Sequence, residues 1–144
     1  MYLRLAQVIA TSLLALCITS PCVAAEKEMI TEEELLHQKN KDVMTIDALT
    51  RNGSNLSRPH KLEHHFYVFS VQAAEALSKA GTALGYNSSK IERGEHKGAI
   101  NWYFDLIKPT VPSLENVTKE TTLMLKLSRE HKAEYDGWGT HIVE

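Results

Sequence analysis

Three features of this 144-residue chain predict an α+β sandwich. Ala99 to Ile107 alternates strictly, with Ile100, Trp102, Phe104 and Leu106 on one side and Ala99, Asn101, Tyr103 and Asp105 on the other. Such a period of two marks a half-buried strand. Two other stretches, Val71 to Leu84 and Leu114 to Ala133, carry apolar residues at helical spacing and follow serines suited to N-caps, Ser70 and Ser113. They fall between strand-like runs, so strands and helices alternate along the chain.

Taken in order, Thr31-Glu32-Glu33-Glu34 reads as a capping box, with acids in the first turn to suit the helix dipole. The helix it opens extends to Arg51 and stops at Asn52-Gly53. Its apolar residues Leu35, Leu36, Val43, Met44, Ile46 and Leu49 are unevenly spaced. A polar loop over 52–59 leads to a first strand, His60 to Phe69, ending in Tyr67-Val68-Phe69. The Val71 helix ends at Gly85, and Tyr86 to Gly94 reads as a second strand. Ala99 to Ile107 is the third, and Pro109 to Ser113 turns the chain into the last helix, whose stripe is Leu114, Val117, Leu123, Leu125 and Leu127. Tyr135 to Val143 is the fourth strand. The order β-α-β-β-α-β, preceded by one helix, is the ferredoxin-like pattern. Right-handed crossovers place the first and third strands in the middle of a four-stranded antiparallel sheet, with helices on one face. The other face is open unless the N-terminal helix or a partner covers it.

The first 25 residues read as a secretory leader. Arg4 precedes an uncharged apolar run from Leu5 to Ser20, Pro21 breaks it, and Val23-Ala24-Ala25 suits cleavage after Ala25. The run is short for the ~20 residues of a membrane-spanning helix. The expected organisation is therefore leader 1–25, N-terminal helix 26–53 and sandwich 54–144, the last two forming one globular unit. Such a protein is periplasmic or secreted, without membrane attachment after cleavage, or cytoplasmic if the leader does not act. Cys17 and Cys22 leave with the leader, so the mature chain carries no disulfide, no thiolate metal site and no cysteine nucleophile. Its 15 basic and 18 acidic side chains give a mild net charge of about −3, which supplies no footprint for a nucleic-acid backbone.

Glu63-His64-His65 invites a metal hypothesis in a chain with seven histidines. Strand neighbours point to opposite faces, however, and His60, His96, His131 and His141 are scattered, so no metal or other cofactor is expected. Tyr67, Tyr103 and Tyr135 fall together on the open face in this reading, joined by His65, Asn101, Asp105 and His141. RNA-recognition domains stack bases on such a face, but the charge here has the wrong sign for phosphate. Docking of the N-terminal helix or of a protein suits tyrosine better. Asp136 and Glu63 are conceivable acid–base carboxylates, yet they lie on different strands with no nucleophile beside them. Ser54, Ser57, Ser88 and Ser89 sit in turns without a catalytic motif, and no glycine-rich phosphate loop precedes a helix. A non-enzymatic binding domain is expected, with a small periplasmic hydrolase or ligand binder using Asp136, Glu63 and a histidine as the competing class. The triplets at Asn52, Asn55, Asn87 and Asn116 fit glycosylation acceptors and turns equally.

The last strand is the most distinctive stretch: Glu134-Tyr135-Asp136-Gly137-Trp138-Gly139-Thr140, two glycines flanking a tryptophan. With Asn52-Gly53-Ser54, Leu62-Glu63-His64-His65-Phe66 and Leu84-Gly85-Tyr86, it resembles the regulator of ribonuclease E activity B (RraB) family over Leu49 to Ile142. The resemblance implies an α+β sandwich, no catalytic residues, and a protein partner, ribonuclease E, bound outside its catalytic core. Glu63, His64, His65, Tyr135, Asp136, Gly137 and Trp138 are the signature positions it carries over, and Tyr67 and Tyr103 join them as open-face candidates. Trp138 is expected to pack in the core, while Gly137 and Gly139 allow close approach of a neighbouring element. An exported chain instead meets a periplasmic partner, in an immunity-type or another role.

Overall fold

The computed structural model describes residues 29–144, so the expected leader lies outside the described residues. The described residues form three helices and five strands: α1 (Glu32–Arg51), β1 (His60–Val68), α2 (Val71–Ala83), β2 (Asn87–Ser88), β3 (Glu92–His96), β4 (Ala99–Thr110), α3 (Leu114–Glu130) and β5 (Ala133–Gly139). The antiparallel sheet has the order β2-β4-β1-β5, with β3 also paired to β4. The first long strand and the Ala99 strand are central, as expected of a ferredoxin-like sandwich.

Local chemistry sets the element boundaries. Thr31 and Glu34 close the reciprocal capping box of α1. The hydroxyls of Ser70 and Ser113 accept from the Ala73 and Asn116 amides and start α2 and α3. β1 alternates fully, burying His60, Leu62, His64, Phe66 and Val68 against the helices. The main core joins Phe66, Val68, Phe104 and Leu106 of the sheet to Ala74 and Leu77 of α2 and Met124 and Leu127 of α3. A second cluster joins Leu49 of α1, Leu62, Val117 and Trp138. All three helices therefore cover the same face, and α1 does not lie across the open one.

Several boundaries differ from the sequence reading. The expected strand over Tyr86 to Gly94 is two strands, because Ser89 interrupts the ladder. Its amide donates to the Asp105 carbonyl, but its side-chain oxygen, not a backbone carbonyl, accepts from the Asp105 amide. β4 runs on through Pro109 to Thr110. Pro109 lies past the last residue paired to β2, where its missing N–H costs no ladder bond on that side. α3 stops at Glu130, where His131 caps it and Lys132 turns with φ +52, and Leu114 is exposed.

The largest correction is in β5. His65 pairs with Gly137 and Phe66 with Tyr135, leaving Asp136 as the extra residue of a β-bulge. Gly137 supports it with φ +110, a conformation that side chains disfavour. Tyr135 and Trp138, three residues apart, consequently both meet inward-facing partners, Phe66 and His64. A regular strand would separate them onto opposite faces.

Candidate functional site

Alternation along β1 and β4 builds the open face. Glu63, His65 and Tyr67 of β1 stand opposite Ile107, Asp105 and Tyr103 of β4. His65 Nδ1 donates to Asp105 at 2.7 Å. The Tyr103 hydroxyl donates to Glu92 at 2.8 Å, and that bond raises the Tyr103 pKa. The ring of Tyr103 lies over Gly94, where an added Cβ would come within 2.8 Å of it. The Tyr67 and Tyr103 rings are 6.4 Å apart. His96 stacks on Tyr67 at 3.7 Å with only 10° between planes. Lys97 pairs with Glu134 of β5, lowering the carboxyl pKa and raising that of the ammonium. The result is a shallow surface of aromatic rings and acids. It has binding character but no converging nucleophile, base and oxyanion donor.

Tyr135 does not share this face. The bulge turns it toward the helices, where its hydroxyl lies 2.8 Å from His64 Nδ1. Burial raises the Tyr135 pKa, with nearby Asp42 adding to the effect. Wholly buried His64 is lowered to about 3, chiefly by burial and then by the charges of His65 and Lys108. Its Nε2 has no hydrogen-bond partner among the described residues, and the ring meets Tyr86 edge to face. Glu63, His65, Tyr67 and Tyr103 are thus brought together, whereas His64, Tyr135 and Trp138 form part of the interior. Asn101 is buried beneath the β3–β4 turn, its amide donating to the His96 and Ala99 carbonyls, and His141 lies beyond the end of β5. Exposed Asp136 lines a groove with Glu33, Glu34, His37 and Lys41, apart from Glu63.

Two polar clusters escaped the sequence reading. Asp42, completely buried on α1, accepts from Trp138 Nε1 at 3.1 Å, Gln38 Nε2 at 2.9 Å and the Thr121 hydroxyl at 2.8 Å. This carboxylate ties α1 to β5 and α3. The clue was its spacing: Gln38, Asp42, Ile46 and Leu49 recur on one helical face, so the stripe that packs inward is partly polar. Ser54 Oγ lies 2.7 Å from His60 Nε2, while His60 Nδ1 donates to the Arg58 carbonyl at 2.8 Å. This resembles a nucleophile–base pair, but Ser54 Oγ also accepts from the Val143 amide and holds the C-terminal segment against the loop. Among the described residues, no group of three His, Asp or Glu side chains has metal-holding geometry, and no helix is long and apolar enough to cross a membrane.

Comparison with known proteins names this arrangement. A family described as Regulator of ribonuclease activity B matches residues 37–140. A protein of that name from Colwellia psychrerythraea is 30% identical over 114 residues, covering 78% of this chain and 98% of the relative. The namesake from Pseudoalteromonas translucida is 28% identical, covering 69% and 90%, and that from Escherichia coli is 25% identical, covering 81% and 85%. The match takes in the Asp42 helix, the paired histidines and the bulged strand, and the chain belongs to the regulator of ribonuclease activity B family.

Proposed function

We propose that this protein is a non-catalytic regulator that works by binding another protein on the open face of its sheet. The observation that supports this most is the division of the molecule into two sides. All three helices pack on one face, while Glu63, His65, Tyr67, Tyr103 and Asp105 occupy the other. The relatives' name, which speaks of regulating ribonuclease activity, favours a regulatory role over turnover. The uncharged apolar run from Leu5 to Ser20 favours export, and hence a periplasmic partner. Co-purification of the tagged protein from the periplasm under crosslinking should recover one specific partner. Tyr103→Ala combined with Glu63→Lys should abolish its recovery without loss of fold. Recovery unchanged by that pair of substitutions counts against the open face.

Family membership favours a second reading, in which the protein restrains ribonuclease E in the cytoplasm and the leader does not act. A C-terminal alkaline phosphatase fusion separates the two, since that enzyme needs export to fold. Strong phosphatase activity supports the periplasmic reading, and an inactive but intact fusion supports the cytoplasmic one.

A further inference from the structure

We propose that the turn joining β3 to β4 is a strap that closes one end of the open face and must lift before a partner can use the whole of it. The inference rests on the reading of that face as the docking surface. The turn is tight, with Lys97 at φ +51 and Gly98 at φ +77, the left-handed pair of a two-residue hairpin. Its base pairs with β4, but its tip reaches across the sheet. His96 lies flat on Tyr67 of β1, and Lys97 bonds Glu134 of β5. His96 Nε2 is sealed from solvent and faces a Glu134 oxygen 3.6 Å away.

The strap is held by shallow contacts. Neither hydrophobic cluster includes any residue from Glu92 to Asn101. The Lys97 side chain is 68% exposed, so its pair with Glu134 is a solvent-screened one. Elements fixed by exposed polar contacts, outside the core, open locally without global unfolding. The Asn101 amide binds the His96 and Ala99 carbonyls from within the hairpin, so the turn keeps its shape as it moves. Lifting it uncovers the face of Tyr67 and the Glu134 carboxylate beside Tyr103 and His65. The exposed surface then extends from β4 to β5.

Nitration with tetranitromethane and NMR relaxation dispersion test the strap on the mature protein alone. In the parent the His96, Lys97 and Gly98 resonances should share one exchange process, and Tyr67 should nitrate slowly beneath the stacked His96 ring. Glu134→Gln, and separately Lys97→Ala, should raise the Tyr67 rate several-fold, leave the Tyr103 rate unchanged and move the His96 ring protons away from their stacked, upfield positions. Lys97→Ala touches no buried group, so it keeps the test available if Glu134→Gln impairs folding. A turn whose three residues share no exchange process, or a Tyr67 rate and His96 shifts unaltered by both substitutions, would overturn the proposal. No partner enters these measurements. An immobile strap therefore fails on its own, whereas failure of the docking surface shows only in the crosslinking experiment.

Discussion

Asp42 shows how one buried side chain fixes the position of a helix. It receives three hydrogen bonds, from α1 itself, α3 and β5. Replacement by alanine leaves the Trp138 indole N–H, the Gln38 amide and the Thr121 hydroxyl without their acceptor, in addition to opening a void. A cost of about 3 kcal/mol is expected, at the upper end of what one unsatisfied group imposes. Urea unfolding followed by tryptophan fluorescence should show it, and a loss below about 1 kcal/mol would mean that water replaces the carboxylate. His64 makes a pH-dependent contribution. Its folded pKa is about 3 against an ordinary 6.5, so below pH 6.5 the unfolded chain binds a proton that the folded chain refuses. The contribution is complete above pH 6.5 and is lost as pH falls toward 3. Between pH 7 and pH 5 the fold should lose about 2 kcal/mol through this residue. His64→Gln, which cannot titrate, should flatten the urea midpoint over that range. A slope unchanged from the parent would assign the acid sensitivity elsewhere.

At the scale of elements, the β5 bulge decides which side chains face the core. Gly137→Ala places a Cβ at φ +110 and 3.2 Å from Lys41 Nζ, which donates to the Asp136 carbonyl at 2.8 Å. Gly139→Ala meets only His65 Nε2, at an ordinary 3.4 Å, and has no positive φ. The first should cost about 1–3 kcal/mol and the second under about 1, as compared by thermal unfolding. Equal costs would show that the glycine pattern serves something other than the bulge. This element also marks the limit of what the sequence discloses. The Thr31–Glu34 box, the serine caps and the alternation of β4 are local signals, and the structure has each of them at the residues the sequence marks. A bulge depends on pairing across strands. Regular alternation along β5 sets Tyr135 opposite the inward-facing Trp138 and so on the open face, whereas the bulge turns both inward. The same limit hid the α1 packing: Leu36 and Met44 look like core residues but are exposed, while Gln38 and Asp42 look like surface residues but are buried. Of the candidate site, the β1 and β4 residues were legible because both strands are regular there. The His96–Tyr67 stack and the Lys97–Glu134 pair were not, because they join parts of the chain through the curl of a hairpin.

For the whole molecule, the question is whether α1 is an appendage of the sandwich or a wall of it. Leu49 closes the second core cluster over Leu62, Val117 and Trp138, and Asp42 satisfies the Trp138 indole. Arg129 of α3 reaches Glu34 near the start of the same helix. A chain confined to residues 54–144 would leave the β5 end of the sheet with an exposed tryptophan, an unpaired indole N–H and a leucine without a cover. In a domain this small, whose total stability is about 5–15 kcal/mol, that loss is a large fraction of the whole. Residues 29–144 should unfold in one cooperative transition, with Trp138 emission shifting to the red only as the chain unfolds. Residues 54–144 should give red-shifted emission at zero urea and no sharp transition. Addition of a 29–53 peptide should restore the blue-shifted emission, since it returns Leu49 to the Trp138 cluster and the Asp42 acceptor to the indole N–H. A 54–144 fragment that melts cooperatively at the parent temperature would make α1 an appendage, and the sandwich alone would then be the unit that carries the open face.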